Sequence, residues 1–320
     1  MSSSIAIEVV DLEKTYGTVT AIQDLSFTVL PGEIFGLLGP NGAGKSTTLR
    51  ILITILPPTR GQARVWGYDV VKEADAVRQV IGYVPQERAI DRFLTGREHL
   101  LLLADLYHLP KREALNRINE LLKLVDLEAH ADRLAKTYSG GMKRKLDIAC
   151  GLLPNPRIVF LDEPTLGLDV QSRLRIWDYI RELRRRGLTI VMTTNYLEEA
   201  DQLCDRLAII DGGRIRVMGS PKELKTALGG DTLCLRADPS QTEPLDRLHA
   251  ALKTLPFIRD SRRQGYELLI RVDAPDKALP AILEAAHRVN CHIESIDYHR
   301  PRLDDVFLAY TGHRFQEPTQ

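Results

Sequence analysis

The chain has 320 residues, of which 44% are hydrophobic and 27% are charged, so it is long enough for two globular domains. Its 43 lysines and arginines balance its 43 aspartates and glutamates, and this balance argues against a general nucleic-acid binder, whose surface is strongly basic. The four cysteines show no C-x-x-C spacing, and no apolar stretch is long enough to span a bilayer. We therefore expect a soluble chain with reduced thiols and without a secretory signal.

The first part of the chain is predicted to be the start of an α/β core. Its predicted elements are strands over 5–10, 26–30 and 34–38, a glycine-rich loop over 39–47, a helix over 48–56, and strands over 63–66 and 80–84. The strand over 34–38 is apolar throughout and leads directly into the loop. This pattern is typical of a buried strand that leads into a loop.

Leucines at three- and four-residue spacing then predict an α-helical insertion over about 88–138. The core resumes with helices over 143–152 and 171–186, strands over 158–161, 189–193 and 207–210, and a tight turn over 211–214. Strand, helix and strand at this spacing predict right-handed parallel crossovers.

A second unit is predicted after Gly229-Gly230. Its order of strand, helix, two strands, helix and strand is that of a small ferredoxin-like α+β domain. We therefore divide the chain into domains over 1–228 and 229–320. A last helix would place Leu303, Val306 and Phe307 on one face.

The loop after the third strand matches the phosphate-binding pattern G-x-x-x-x-G-K-[ST]. Glycines let the backbone wrap a phosphate closely, a lysine reaches the outer phosphates, and a serine hydroxyl can bind Mg²⁺. The loop therefore predicts a nucleoside triphosphate and Mg²⁺ as ligands, without separating a kinase, a GTPase, a helicase and a transport ATPase. Its predicted nucleotide-binding residues are Gly39, Pro40, Asn41, Gly42, Ala43, Gly44, Lys45, Ser46 and Thr47.

Two carboxylates, Asp162 and Glu163, follow the apolar strand over 158–161. In a parallel sheet, ligands bind at the carboxyl ends of the strands, so we expect Asp162 beside the Mg²⁺ held by Ser46. Successive strand residues point in opposite directions, which leaves Glu163 free to activate a water for attack on the γ-phosphorus.

In their order along the chain, these segments resemble the ATP-binding cassette (ABC) ATPases, the nucleotide-hydrolysing subunits of membrane transporters. Further residues match that family's loops: an aromatic that stacks on adenine (Tyr16), a glutamine loop (Gln86), a signature loop (Ser139, Gly140, Gly141), the loop after the acidic pair (Asp169) and a switch segment that ends at Asn195. The resemblance implies a RecA-like P-loop NTPase core with an antiparallel β subdomain and an α-helical insertion.

The resemblance also implies roles and partners. Lys45, Gln86, Glu163 and Asn195 would act in catalysis, and Gln86 would join Ser46 and Asp162 around Mg²⁺. Two such domains, as a homodimer or a heterodimer, would enclose ATP between the phosphate loop of one and the signature loop of the other. The helical insertion would contact a membrane-spanning permease, which would hold the chain on the cytoplasmic face of the membrane. No nucleic-acid partner is expected.

The closing segment, 301–312, resembles the drug- and antibiotic-export branch of the family, the daunorubicin-resistance type. That branch implies export of a drug-like or other small amphipathic substrate. One departure stands out, because Asn195 replaces the family's histidine and no histidine lies between His130 and His249. An amide never carries the positive charge of an imidazolium, so we expect slower hydrolysis with ATP binding retained.

Two alternatives to an exporter ATPase stay open. Asn195 is also compatible with a slowly hydrolysing, regulatory ATP-binding module. A soluble ATP-driven clamp on nucleic acid or ribosomes is less favoured, because the chain has one cassette and no basic tract.

Overall fold

The computed structural model describes residues 5–87, 89–238, 242–273 and 275–315. They form two compact units, one holding the described residues up to Pro221 with Phe315, the other the described residues of Lys222–Arg314. Among these residues, no helix combines the length and the apolar character needed to cross a bilayer.

The first unit alternates strands and helices. In chain order its elements are β1 (Ile7–Tyr16), β2 (Val19–Val29), β3 (Ile34–Leu38), α1 (Lys45–Leu52), β4 (Arg60–Val65), β5 (Tyr68–Asp69), α2 (Ala74–Val80), β6 (Ile81–Val84), α3 (Gly96–Leu106), α4 (Lys111–Leu124), α5 (Gly140–Leu152), β7 (Ile158–Asp162), α6 (Val170–Arg185), β8 (Thr189–Thr194), α7 (Leu197–Leu203), β9 (Arg206–Asp211) and β10 (Arg214–Gly219).

A six-stranded sheet with the order β10-β9-β3-β8-β7-β6 forms the centre of this unit. The strands from β9 to β6 are parallel, and β10 runs antiparallel to β9 at one edge. Strands β3, β7 and β8 are buried along their whole length, as expected for a parallel sheet covered on both faces. Their carboxyl ends meet at one edge, which places the phosphate loop, the acidic pair and Asn195 side by side.

The antiparallel β subdomain is a second sheet with the order β2-β1-β4-β5. Its inward side chains share one hydrophobic core with β3 and α1, including Leu12, Ile22 and Leu49. The rings of Phe27 and Phe35 stack with their centres 5.3 Å apart. This shared core fixes the subdomain beside the start of α1, and the sequence-predicted P-loop NTPase fold is confirmed.

The helical insertion consists of α3 and α4, followed by short 3-10 turns at Glu128–His130 and Ala135–Thr137.

Two predicted helix boundaries were wrong. The helix predicted over 48–56 runs over Lys45–Leu52 and stops before Thr54, whose φ of 66° is left-handed. The helix predicted over 143–152 begins at Gly140, because Ser139 caps its first turn.

The second unit begins within α8 (Pro221–Leu228), whose first residue belongs to the first unit. It continues with β11 (Asp231–Ala237), α9 (Thr242–Leu252), β12 (Ile258–Gln264), β13 (Glu267–Val272), α10 (Pro275–Arg288), β14 (Ile293–His299) and α11 (Leu303–Thr311). Its sheet has the antiparallel order β12-β13-β11-β14. Alternate residues of β11 and β13 pack against α9 and α10. This is the predicted ferredoxin-like arrangement, and the predicted apolar face of α11 is buried.

Candidate active site

The phosphate loop joins β3 to α1, and two of its glycines are required by close contacts. A β-carbon on Gly39 would lie 2.2 Å from the carbonyl oxygen of Ile210. Gly44 has a φ of 106°, and its β-carbon would lie 2.7 Å from the carbonyl oxygen of Ala21. Side chains are excluded at both positions, so the packing of the loop against the neighbouring strands requires glycine there. A loop of this kind before a helix start offers backbone N–H groups that can bind phosphate.

Lys45 is the first residue of α1, and its side chain is buried at 4% exposure. Its ammonium donates to the carbonyl oxygens of Gly39 at 2.6 Å and Pro40 at 2.9 Å, and to Asn195 Oδ1 at 2.5 Å. Burial lowers the pKa of Lys45 to about 8, although the nearby carboxylates oppose this shift. A triphosphate would supply the negative charge that favours the protonated lysine.

Asp162, the last residue of β7, lies beside Ser46. Ser46 Oγ donates to Asp162 Oδ1 at 3.3 Å, and Thr193 Oγ1 donates to the same oxygen at 2.5 Å. Among the described residues there is no group of three His, Cys, Asp or Glu side chains that would hold a metal alone. A hydroxyl and a carboxylate at one point suit Mg²⁺, which takes one or two protein oxygens and completes its shell with phosphates and water.

Glu163 follows the strand in a left-handed conformation, with a φ of 45°. This conformation costs a non-glycine residue about 1–3 kcal/mol and turns the carboxylate back toward the loop. Glu163 therefore faces the same site as Asp162, so the strand-alternation argument does not describe it. Gln86 Nε2 donates to Glu163 Oε2 at 3.2 Å. Burial raises the pKa of Glu163, and the ammonium of Lys45 opposes that rise.

Asn195 connects the lysine to the acidic pair. Its Oδ1 accepts from Lys45, while its Nδ2 donates to Glu163 Oε1 at 2.6 Å and to Asn41 Oδ1 at 2.9 Å. An amide suits this position because it offers an acceptor and two N–H donors at once. We call Lys45, Ser46, Asp162, Glu163 and Asn195 the phosphate cluster.

The predicted signature loop lies in a separate group. Ser139 caps α5 by accepting from Met142 N at 3.2 Å. Asp169 caps α6 by accepting from Ser172 N at 2.9 Å and Ser172 Oγ at 2.8 Å. A β-carbon on Gly141 would lie 2.7 Å from that hydroxyl oxygen, so the two caps adjoin. We call Ser139, Gly140, Gly141, Asp169 and Ser172 the signature cluster.

Of the other predicted residues, three lie on the phosphate loop or the first turn of α1, and Tyr16 lies at the end of β1. Gly42 has a left-handed φ of 80°, Ala43 is buried, and Thr47 is on the first turn of α1. Tyr16 ends β1 with 44% of its surface exposed, and the ammonium of Lys14 lies 5.2 Å from its ring centre. An open aromatic face of this kind can stack on a base.

Two residues of the site were not among the sequence-predicted site residues. Thr193 donates to Asp162, and its hydroxyl accepts from the backbone N–H of Glu163 at 3.0 Å. Thr193 lies near the carboxyl end of the apolar strand β8, next to β7, and this position could have indicated a site residue from the sequence. Arg144 contacts the backbone of the acidic pair from α5, and no local pattern indicates this contact.

Known proteins with similar sequences include transporter ATP-binding proteins. The family described as ABC transporter matches residues 22–166, and the C-terminal domain described as ATP-binding protein DrrA1-3-like matches residues 219–311. The chain is 43% identical to the daunorubicin/doxorubicin resistance ATP-binding protein DrrA of Streptomyces peucetius over 96% of this chain and 93% of that protein. It is 46% identical to the Nod factor export ATP-binding protein I of Sinorhizobium fredii, over 98% and 88%.

A solved structure shares the fold of the first unit. It is a dimeric, post-hydrolysis state of an ATP-binding cassette bound to ADP and Pi, with a TM-score of 0.60 and 27% identity. The alignment covers 67% of this chain and 98% of that one.

Proposed function

The chain belongs to the ABC transporter family, and on that premise we propose that it is the ATP-hydrolysing subunit that powers export of a drug-like or other small amphipathic compound. The compound would pass through a separate membrane permease. The printed functions of the relatives, drug resistance and Nod factor export, support export. Without a membrane-crossing helix among the described residues, the path for the substrate would belong to the partner.

The bonded chain from Lys45 through Asn195 to Glu163 is the observation that carries the chemistry. In the proposed mechanism, the loop N–H groups and Lys45 hold the β- and γ-phosphates. Ser46, Asp162 and Gln86 would hold Mg²⁺, which neutralises charge on the phosphate oxygens. Glu163 accepts a proton from water as the water oxygen attacks the γ-phosphorus, and the bond to the bridging oxygen of ADP breaks.

The pKa of Glu163 suits this role. A carboxylate with a raised pKa is a stronger base than an ordinary one, and burial supplies that rise. The charge of Lys45 and the hydrogen bond from Asn195 oppose this rise, because both favour the ionised carboxylate.

The signature cluster supports a second cassette. It offers the N–H groups of a helix start beside an exposed hydroxyl, an arrangement suited to phosphate oxygens. Since the phosphate cluster already serves one triphosphate, the signature cluster would bind the ATP held by a partner cassette. The helical insertion would contact the permease on the cytoplasmic side of the membrane.

The test is transport in vesicles that contain this chain and the multi-span protein that copurifies with it. We expect ATP-dependent movement of an amphipathic drug, and its loss when the chain carries Glu163→Gln. Equal transport with the variant would contradict the proposal.

A slowly hydrolysing, regulatory ATP-binding module is the second candidate function, because Asn195 stands where the family has a histidine. Single-turnover ATP cleavage separates the two. A transport ATPase converts bound ATP within seconds to minutes, whereas a sensor retains it.

A further inference from the structure

Arg144 is a buried guanidinium in α5, with 4% of its surface exposed. It donates to four backbone carbonyl oxygens: from Nη1 to Pro85 at 2.6 Å, from Nε to Pro164 at 2.7 Å, and from Nη2 to Asp162 at 2.9 Å and Glu163 at 3.2 Å. These are strong contacts, since a charged donor makes shorter and stronger hydrogen bonds than a neutral one.

The four carbonyls surround the proposed catalytic side chains. Pro85 immediately precedes Gln86, while the other three carbonyls run continuously through the acidic pair and the proline that follows it. Arg144 therefore holds two segments that are distant in sequence, and the side chains on those segments, Gln86 and Glu163, bond to each other at 3.2 Å.

The contact matters most at Glu163, because its left-handed backbone is strained and persists only when its surroundings hold it. On one side, Thr193 accepts the backbone N–H of Glu163 through its hydroxyl at 3.0 Å and its carbonyl at 3.2 Å. On the other side, Arg144 holds the carbonyls before, at and after the turn.

We propose that Arg144 is the positioning residue that fixes the backbone of Glu163 and Gln86, and so aims the general base. The proposal rests on the role of Glu163 given above. It also connects α5 directly to the general base, since Arg144 lies on α5 five residues after Ser139, the residue that caps this helix.

An arginine is required for this set of contacts. Its guanidinium is planar and has five N–H donors in a fixed fork, whereas a lysine ammonium is a compact charge with three. Arg144→Lys keeps the charge but cannot reach all four carbonyls, so it loosens the turn without removing the cation from the buried site.

The experiment measures single-turnover ATP cleavage and ATP affinity in the full-length chain. The variants are Arg144→Lys, Glu163→Gln and the double variant. Lys145→Met is the matched control, because Lys145 is a buried cation of the same helix that pairs with Asp126 at 3.2 Å, away from the acidic pair.

We expect Arg144→Lys to slow cleavage at least about tenfold while the ATP Kd changes less than about threefold, as for a group that acts only at the transition state. In the Glu163→Gln background the same change should slow cleavage less than about twofold, because residues that act through one another are not additive. Lys145→Met should lower thermal stability and leave cleavage within about threefold of wild type.

Wild-type cleavage by Arg144→Lys, an equal slowing in both backgrounds, or loss of ATP binding would each overturn the positioning role. Wild-type cleavage by Glu163→Gln alone would instead overturn the assignment of the base.

Discussion

The phosphate cluster and the signature cluster are built in opposite ways. In the first, Lys45, Asp162, Glu163 and Asn195 are buried. Asn195 bonds to both Lys45 and Glu163, and Asp162 accepts from Ser46 and Thr193. In the second, Ser139 and Asp169 are exposed, and their bonds only cap two helices. The ammonium of the phosphate cluster and its carboxylates compensate each other within one chain. The first turns of α5 and α6 instead leave backbone N–H groups that can bind an anion. The side chains of the phosphate cluster are therefore held in place by bonds within one chain, whereas the signature cluster is open to a ligand from outside it.

The largest expected effect comes from removing the cation of the phosphate cluster. Lys45→Ala should weaken ATP binding at least about a hundredfold, since it removes charge-assisted contacts to the phosphates and leaves the buried carboxylates uncompensated. Calorimetric titration with ATP measures this, and Lys72→Ala, at an exposed position, is the control. Binding of ordinary strength by Lys45→Ala would place the triphosphate elsewhere.

A change in the signature cluster should lower ATP turnover without lowering ATP affinity. The side chain in Gly141→Val would meet Ser172, which is already 2.7 Å from an ideal β-carbon, and push apart the two caps. We expect steady-state turnover to fall up to about a hundredfold, because the signature cluster would be misplaced relative to the phosphates. The ATP affinity of the isolated chain should be unchanged. A parallel loss of affinity would show that the two clusters are not independent.

A smaller effect is expected at Asn195. Asn195→His should speed steady-state turnover about five- to thirtyfold, because a charge-assisted contact to the γ-phosphate adds about 1–2 kcal/mol of transition-state stabilisation. Asn195→Ala, which removes both the acceptor for Lys45 and the donor to Glu163, should be slower than wild type. If the histidine variant is no faster than wild type, this account of Asn195 is wrong.

The smallest effect is a pH dependence of binding. With a pKa of about 8 in the ATP-free protein, Lys45 loses its charge as the pH rises above 8. The bound phosphates restore it, so binding takes up a proton and the Kd should rise by up to about tenfold from pH 8 to pH 9. Lys45→Arg stays charged throughout and should show a flat profile. A flat wild-type profile would contradict the lowered pKa.

Local patterns were enough to predict much of the molecule. The loop from Gly39 to Ser46 was identified because the phosphate chemistry dictates its residue types, and Asp162 because it ends an apolar strand. The order of elements also predicted both folds, since the period of the apolar residues reports burial. Helix starts were less certain, because Gly140 reads as loop until its serine cap is recognised.

The remaining features depend on contacts between distant segments. The positive φ of Glu163 is held by contacts of this kind. The hydrogen bonds of Asn195 and Arg144 join residues that are 18 to 154 positions apart. No local pattern specifies such contacts, because each partner alone has an ordinary sequence environment. They arise only when the strands and α5 pack together.

The central claim is that the terminal phosphate of ATP joins two cassettes, with the phosphate cluster of one facing the signature cluster of the other. It is tested most directly by sedimentation of the Glu163→Gln variant with ATP and Mg²⁺, with the copurifying permease present in a parallel sample. We predict a dimer that requires ATP and is lost with ADP. A protein that stays monomeric in both samples would contradict the account.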